Sequence, residues 1–133
     1  MSGTFGYELD FGKLSEEEKS EVRRQIATYK ELAGLIQNGD YYRLSNPFTD
    51  EIAAWEMVSD DKDEALVFAV MLEIHGNMPV SYIKVRGLSA DSFYLDEMTQ
   101  KVYSSNMLME SGLPVMAGLG AYQAFYWHLK KQV

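Results

Sequence analysis

The sequence predicts a mainly β fold: an antiparallel β-sandwich preceded by one strand and one amphipathic helix. Three observations predict it. From Asp40 onward the apolar residues alternate or run in short blocks, broken by turn-forming residues, which marks out seven or eight short strands. Residues 15–39 hold the one stretch with helical spacing. Before it, Gly3 and Gly6 bracket a short strand in which Phe5, Tyr7 and Leu9 alternate with Thr4, Gly6 and Glu8. A strand–helix step followed by an all-β region is the pattern expected of the last step of a (β/α)8 barrel joined to a C-terminal β-domain. The boundary falls after Gly39, giving residues 1–39 as the end of a barrel and 40–133 as the sandwich.

The helix opens at Ser15, a good N-cap, with Glu18 three residues on to complete a capping box. Glu16, Glu17 and Glu18 occupy its first turn, where the helix dipole favours negative charge. Val22, Ile26, Tyr29, Ala33 and Ile36 form one stripe, and Asn38-Gly39 supplies a stop that tolerates positive φ. The charged opposite face is expected to be solvated.

Tyr42 and Leu44 alternate with Arg43, and residues 46–50, Asn-Pro-Phe-Thr-Asp, read as a connector. Ala54–Ser59 is a strand with Trp55, Met57 and Ser59 on one face. Glu64–Glu73 is the longest strand; its continuous apolar run from Leu66 to Leu72 suits a central position covered on both faces. Tyr82, Lys84 and Arg86 alternate with Ile83, Val85 and Leu88 in another strand. Phe93–Leu95 and Lys101–Tyr103 flank residues 96–100 as a hairpin. Asn106–Met109 reads as a short edge strand, and Gly112, Pro114, Gly118 and Gly120 mark a loop. Ala121–Leu129 closes the chain as an aromatic strand. Val67, Val85 and Trp127 are expected in the core, with Trp55 or its strand neighbours.

Composition narrows the function. A chain of 133 residues that is 47% hydrophobic can bury its own core. A formal net charge of −8, with 12 scattered basic residues, argues against a nucleic-acid partner. The absence of cysteine leaves no disulfide scaffold and no zinc–thiolate site; it is compatible with either compartment, and the cytoplasm is the expectation. No apolar run approaches the ~20 residues that span a bilayer, and no signal peptide is visible, so no membrane association is expected.

The stretch Ser2-Gly3-Thr4-Phe5-Gly6-Tyr7-Glu8-Leu9-Asp10 carries a resemblance. With Tyr29-Lys30, Leu35-Ile36-Gln37, Gly39-Asp40, Tyr42-Arg43-Leu44 and Ala54-Trp55, it is similar to the C-terminal end of bacterial α-galactosidases of glycoside hydrolase family thirty-six. The resemblance covers nearly the whole chain and is strongest over residues 2–73. It implies part of a much longer enzyme that hydrolyses terminal α-galactosides such as melibiose and raffinose with retention. The rest of the catalytic barrel would be the partner, and residues 1–39 would offer a homo-oligomeric contact. The chain itself would be structural and catalytically incompetent.

Retaining glycosidases need two carboxyl groups close together. In this family they sit in a Lys-Trp-Asp strand and a Ser-Asp-Asn-Thr-Asp loop, neither of which occurs here. No catalytic, cofactor-binding or metal-ligating residue is therefore assigned. Glu8 and Asp10 are two carboxylates at strand spacing, but the expectation is that they end a strand and cap a turn. His75 and His128, the only histidines, stand far apart without ligand spacing. Met107, Met109 and Met116 are read as core filler. The alternative function is a carbohydrate-binding module. Under the strand reading Phe125 and Trp127 share one face; Tyr122, Ala124, Tyr126 and His128 share the other, leaving Tyr126 partly exposed, though a sandwich core plus an inter-domain surface is the reading favoured over stacking on a sugar.

Overall fold

The computed structural model describes residues 3, 5–74, 76, 80–116 and 122–133. Helix α1 (Glu16–Asn38) is followed by strands β1 (Asp40–Arg43), β2 (Ile52–Val58), β3 (Glu64–Met71), β4 (Ser81–Ile83), β5 (Phe93–Asp96) and β6 (Lys101–Ser104). A short helix α2 (Ser105–Glu110) then leads to β7 (Leu113–Val115) and β8 (Ala124–Lys131). Six strands form one sheet in the order β1-β2-β3-β8-β5-β6, and β4 pairs with β7 in a second, two-stranded sheet. Every pairing is antiparallel.

The large sheet is covered on both faces. On one face Ile52, Ala54, Val58, Val67, Met71, Trp127 and Leu129 pack against Ile83 of β4, Leu108 of α2, and Leu113 and Val115 of β7. On the other, Met57, Leu66 and Phe68 pack against Leu32, Leu35 and Ile36 of α1. The double cover explains the unbroken apolar run of β3, where alternation is lost because both faces are dry. Val67, Val85 and Trp127 are buried as expected; Trp55 is half-buried, with Ala54 and Glu56 buried beside it.

Helix α1 begins as the sequence predicts. Ser15 Oγ accepts the Glu18 amide at 3.2 Å and Glu18 Oε2 accepts the Ser15 amide at 2.7 Å. Of the predicted stripe, Val22 and Ile36 are buried and Ile26, Tyr29 and Ala33 are half-buried; Leu32 and Leu35 join them at the sheet. The helix ends at Asn38, but Gly39 does not use positive φ (φ −67°). Space is what requires glycine there: a Cβ would lie 2.6 Å from the Leu35 carbonyl oxygen and 3.1 Å from that of Val58.

Three expectations change. The predicted strand before the helix is absent over its described residues: Phe5–Asp10 pairs with nothing, and a 3-10 turn follows at Phe11–Lys13. A lone strand cannot satisfy its backbone, and this segment lies against α1 instead. Phe5 packs on Tyr29 with ring centroids 5.2 Å apart, Tyr29 donates to the Gly3 carbonyl at 2.9 Å, and Tyr7 hydrogen-bonds Gln25. Asn106–Met109 is helical rather than extended, because Ser104 Oγ caps the Met107 amide at 3.2 Å. The loop predicted from Gly112 contains β7. Gly112 turns the chain with φ +95° while its amide reaches the Met107 carbonyl at 3.0 Å. Residues 117–121, holding Gly118 and Gly120, lie outside the described residues.

The strand predicted across Tyr82–Leu88 keeps its alternation but not its ladder. Ile83, Val85 and Leu88 are buried while Tyr82, Lys84 and Arg86 are exposed. Pairing stops at Ile83; the Val85 amide then donates to Leu108 of α2 and the Arg86 amide to the side chain of Glu56.

Candidate functional site

The residues singled out by sequence do not converge. Glu8 and Asp10 sit in the exposed segment ahead of α1. Asp10 Oδ1 accepts the Gly12 amide at 3.1 Å, and its carboxylate lies 3.4 Å from Lys13 Nζ, so this carboxylate caps a turn. His75 lies outside the described residues. His128 is buried on the α1 side of the sheet, where Nε2 meets Glu64 Oε1 at 2.5 Å. Among the described residues no three His, Asp or Glu side chains are grouped to hold a metal ion.

The face alternation expected of the last strand holds from Ala124 onward, while Tyr122 precedes β8 with φ +63°. Trp55 on β2, Phe68 on β3 and Tyr126 on β8 are direct cross-strand partners. Their rings form a row across the α1 face, with centroids 5.7 Å and 6.5 Å apart. The row begins and ends half-exposed, at Trp55 and Tyr126, while Phe68 in the middle is buried. Phe125 and Trp127 stack on the opposite face at 6.3 Å.

Tyr126 floors a groove between α1 and the β5–β6 turn. Arg24, Thr28, Glu31 and Leu32 form one wall; Glu97, Met98 and His128 form the rest around a cavity of about 250 Å³. A second cavity of about 320 Å³, bounded by Glu21 and Gln25, shares Arg24, Thr28, Met98 and Tyr126 with it. The walls hold their shape through local chemistry. Arg24 is oriented by Glu21, with Nη2 to Oε2 at 2.7 Å, which raises the guanidinium pKa and lowers that of the carboxyl. The β5–β6 turn is wound around Asp96, fully buried, whose carboxylate accepts the Met98 and Thr99 amides, the Thr99 hydroxyl and the His128 amide. Sequence reading found Tyr126 but not Arg24, Thr28, Glu31 or Glu97. On a helix or turn these look like ordinary solvated residues, and only the tertiary fold brings them to one place.

Two further features stand apart. A cleft of about 400 Å³ runs between the start of β2 and β4, lined by Asp50, Ser45, Tyr82, Lys84 and Arg86 among others. Asp50 is occupied in its own loop, accepting the Asn46 amide at 2.8 Å and the Thr49 hydroxyl at 3.1 Å. Glu56, on β2, is fully buried in the apolar face opposite α1. Its Oε1 accepts the Arg86 amide at 2.5 Å, and Oε2 has no partner among the described residues. Burial pushes this carboxyl from 4.5 up to about 8, against the smaller opposing pull of the Arg86 amide and charge.

Comparison with known proteins places the chain. Residues 52–129 match the model of the glycosyl hydrolase family 36 C-terminal domain. The bifunctional α-galactosidase/sucrose kinase AgaSK of Mediterraneibacter gnavus is 48% identical over 125 residues, which is 94% of this chain but 13% of that protein. α-Galactosidase AgaA of Geobacillus stearothermophilus is 40% identical over 98% of this chain and 18% of its own length. The crystal structure of AgaA superposes with a TM-score of 0.91 at 39% identity, again over 98% of this chain and 18% of the other. The chain thus spans less than a fifth of these relatives, and it belongs to the glycosyl hydrolase family 36 C-terminal domain family.

Proposed function

We propose that this chain is the C-terminal domain of a longer retaining α-galactosidase, cytoplasmic, in which it braces the catalytic barrel and supplies no catalytic group. One observation supports the reading above the others: nearly the whole chain aligns with α-galactosidases, yet it accounts for only 13–18% of their length. The carboxylates agree with it. Retention requires an acid and a nucleophile about 5 Å apart, and Asp10 is spent on a turn.

In this reading residues 1–39 end the barrel and 40–133 follow as the β-domain, with Leu32, Leu35 and Ile36 of α1 packed onto its sheet. The barrel would rest on the surface formed by Phe5, Tyr7, Phe11, Ile26 and Tyr29, which line an open, apolar cavity of about 370 Å³. Phe11 in its lining and Leu9 nearby in sequence are 49% and 42% exposed, so the apolar surface is open to a partner. Without a barrel the same surface would bring two copies of this chain together.

The test is hydrolysis of p-nitrophenyl α-galactoside by this chain alone and by a chain extended at its N-terminus with a family barrel carrying both carboxylate motifs. The extended chain should turn over substrate with retention and the 133-residue chain should not. Turnover by the short chain that disappears in Glu8→Gln or Asp10→Asn would overturn the reading, as would an inactive but folded extended chain.

A further inference from the structure

We propose that the groove floored by Tyr126, between α1 and the β5–β6 turn, binds one pyranose ring of a neutral oligosaccharide. The choice of a sugar rests on the α-galactosidase reading; the groove itself rests on this chain's geometry. Two requirements define such a site. A pyranose presents a face of C–H groups, which an aromatic ring covers, and a rim of hydroxyls, each able to donate and accept. Tyr126 provides the first. It is half-exposed, and its ring is held at the end of the Trp55–Phe68–Tyr126 row by cross-strand pairing. The stacking surface is thus fixed before a ligand arrives, which lowers the entropy cost of binding.

The rim provides the second. Arg24 offers the donors its pairing with Glu21 leaves over; Thr28 Oγ1, whose hydrogen goes to the Arg24 carbonyl at 3.1 Å, offers an acceptor, as do Glu31 on α1 and Glu97 on the turn. Glu31 is exposed and has no hydrogen-bond partner among the described residues; the Glu97 carboxylate is held only loosely, 4.0 Å from Lys130 Nζ. Carboxylates at the rim, within a chain of net charge −8, disfavour an anionic ligand such as a phosphate. The cation Arg24 is already paired with Glu21, which leaves it little charge free to recruit an anion. The adjoining cavity of about 320 Å³ continues past Tyr126 towards Gln25, which leaves room for a second ring linked to the first.

Nitrogen-15 chemical-shift titration of the 133-residue chain with methyl α-galactoside, melibiose and raffinose, and with potassium phosphate as the charged control, tests the site. Saturable shifts at Thr28, Glu31, Glu97 and Tyr126, with a millimolar Kd, are expected for the sugars and none for phosphate. Glu31→Gln, on an exposed position, should weaken binding severalfold without shifting the melting temperature. Tyr126→Leu should weaken it at least tenfold while the remaining amide spectrum stays native. No sugar-dependent shift at 50 mM overturns the proposal, and so does binding that survives both variants or shifts centred elsewhere. The outcome is separable from that of the activity test: an active extended chain whose groove stays silent removes the sugar site alone, and a groove that binds in a protein without α-galactosidase activity removes the enzyme reading alone.

Discussion

Glu56 shows how one residue can set the response of the whole domain to pH. Its carboxyl is enclosed by an apolar face and keeps its proton up to about pH 8, whereas in the unfolded chain it ionises near 4.5. Between those values the folded state binds one proton more than the unfolded state. Stability from this group is therefore complete below pH ~4.5 and is lost as pH rises towards 8, at up to about 1.4 kcal/mol per pH unit. The sign is opposite to that of a salt-bridged carboxylate. Urea unfolding at pH 5, 6.5 and 8 should show the midpoint falling with pH in the wild type and a flatter profile in Glu56→Gln, which keeps the shape and the acceptor for the Arg86 amide. A profile unchanged by the substitution would place the titration elsewhere. Nothing in the sequence marks Glu56 as special. It stands in a strand between Trp55 and Met57, and a charged residue in such a place normally points to water. That it points inward follows from register: Glu56 lies opposite Val67, on the same face as Ala54 and Val58.

At the scale of elements, α1 separates two kinds of stabilisation. Its N-cap lies in the exposed first turn, so Ser15→Ala should cost about 1 kcal/mol, the usual worth of such a cap. Leu32, 3% exposed, joins the helix to Met57, Leu66 and Phe68, and Leu32→Ala should cost ~2–5 kcal/mol. Thermal denaturation of the two variants checks the contrast; equal effects would mean that the helix is not docked on the sheet. The helix was legible because its cap and period are local. So were β2, β3, the β5–β6 hairpin and β8, whose apolar patterns are strong. Elements whose identity depends on neighbours were not. The six residues of α2 carry Asn and two Met, which suit a strand edge as well as a turn of helix, and the deciding groups are the Ser104 cap and the Leu108 carbonyl that accepts Val85. Phe5–Asp10 has the alternation of a strand but, among the described residues, no strand beside it. The groove at Tyr126 gathers residues from positions 24 to 128, a juxtaposition that no local pattern encodes.

At the scale of the molecule, the proposed barrel surface makes a prediction for the isolated chain. Sedimentation should show concentration-dependent self-association of the wild type, and the Ile26→Glu, Tyr29→Glu double variant should be monomeric. A monomeric wild type at high micromolar concentration, or a double variant that associates equally, removes the contact between copies. The strand order has a different consequence. β8 follows every other strand in the sequence, yet it lies in the middle of the sheet, hydrogen-bonded to β3 on one side and β5 on the other. Until it arrives, β1–β2–β3 and the β5–β6 hairpin are two separate ribbons, each showing a bare inner edge to whatever extended chain is nearby. During synthesis the sheet therefore stays in two halves until residues 124–131 have cleared the exit tunnel. A nascent chain stalled just short of that point would be the most aggregation-prone form of this protein, and a synthetic β8 peptide added in trans should rescue it.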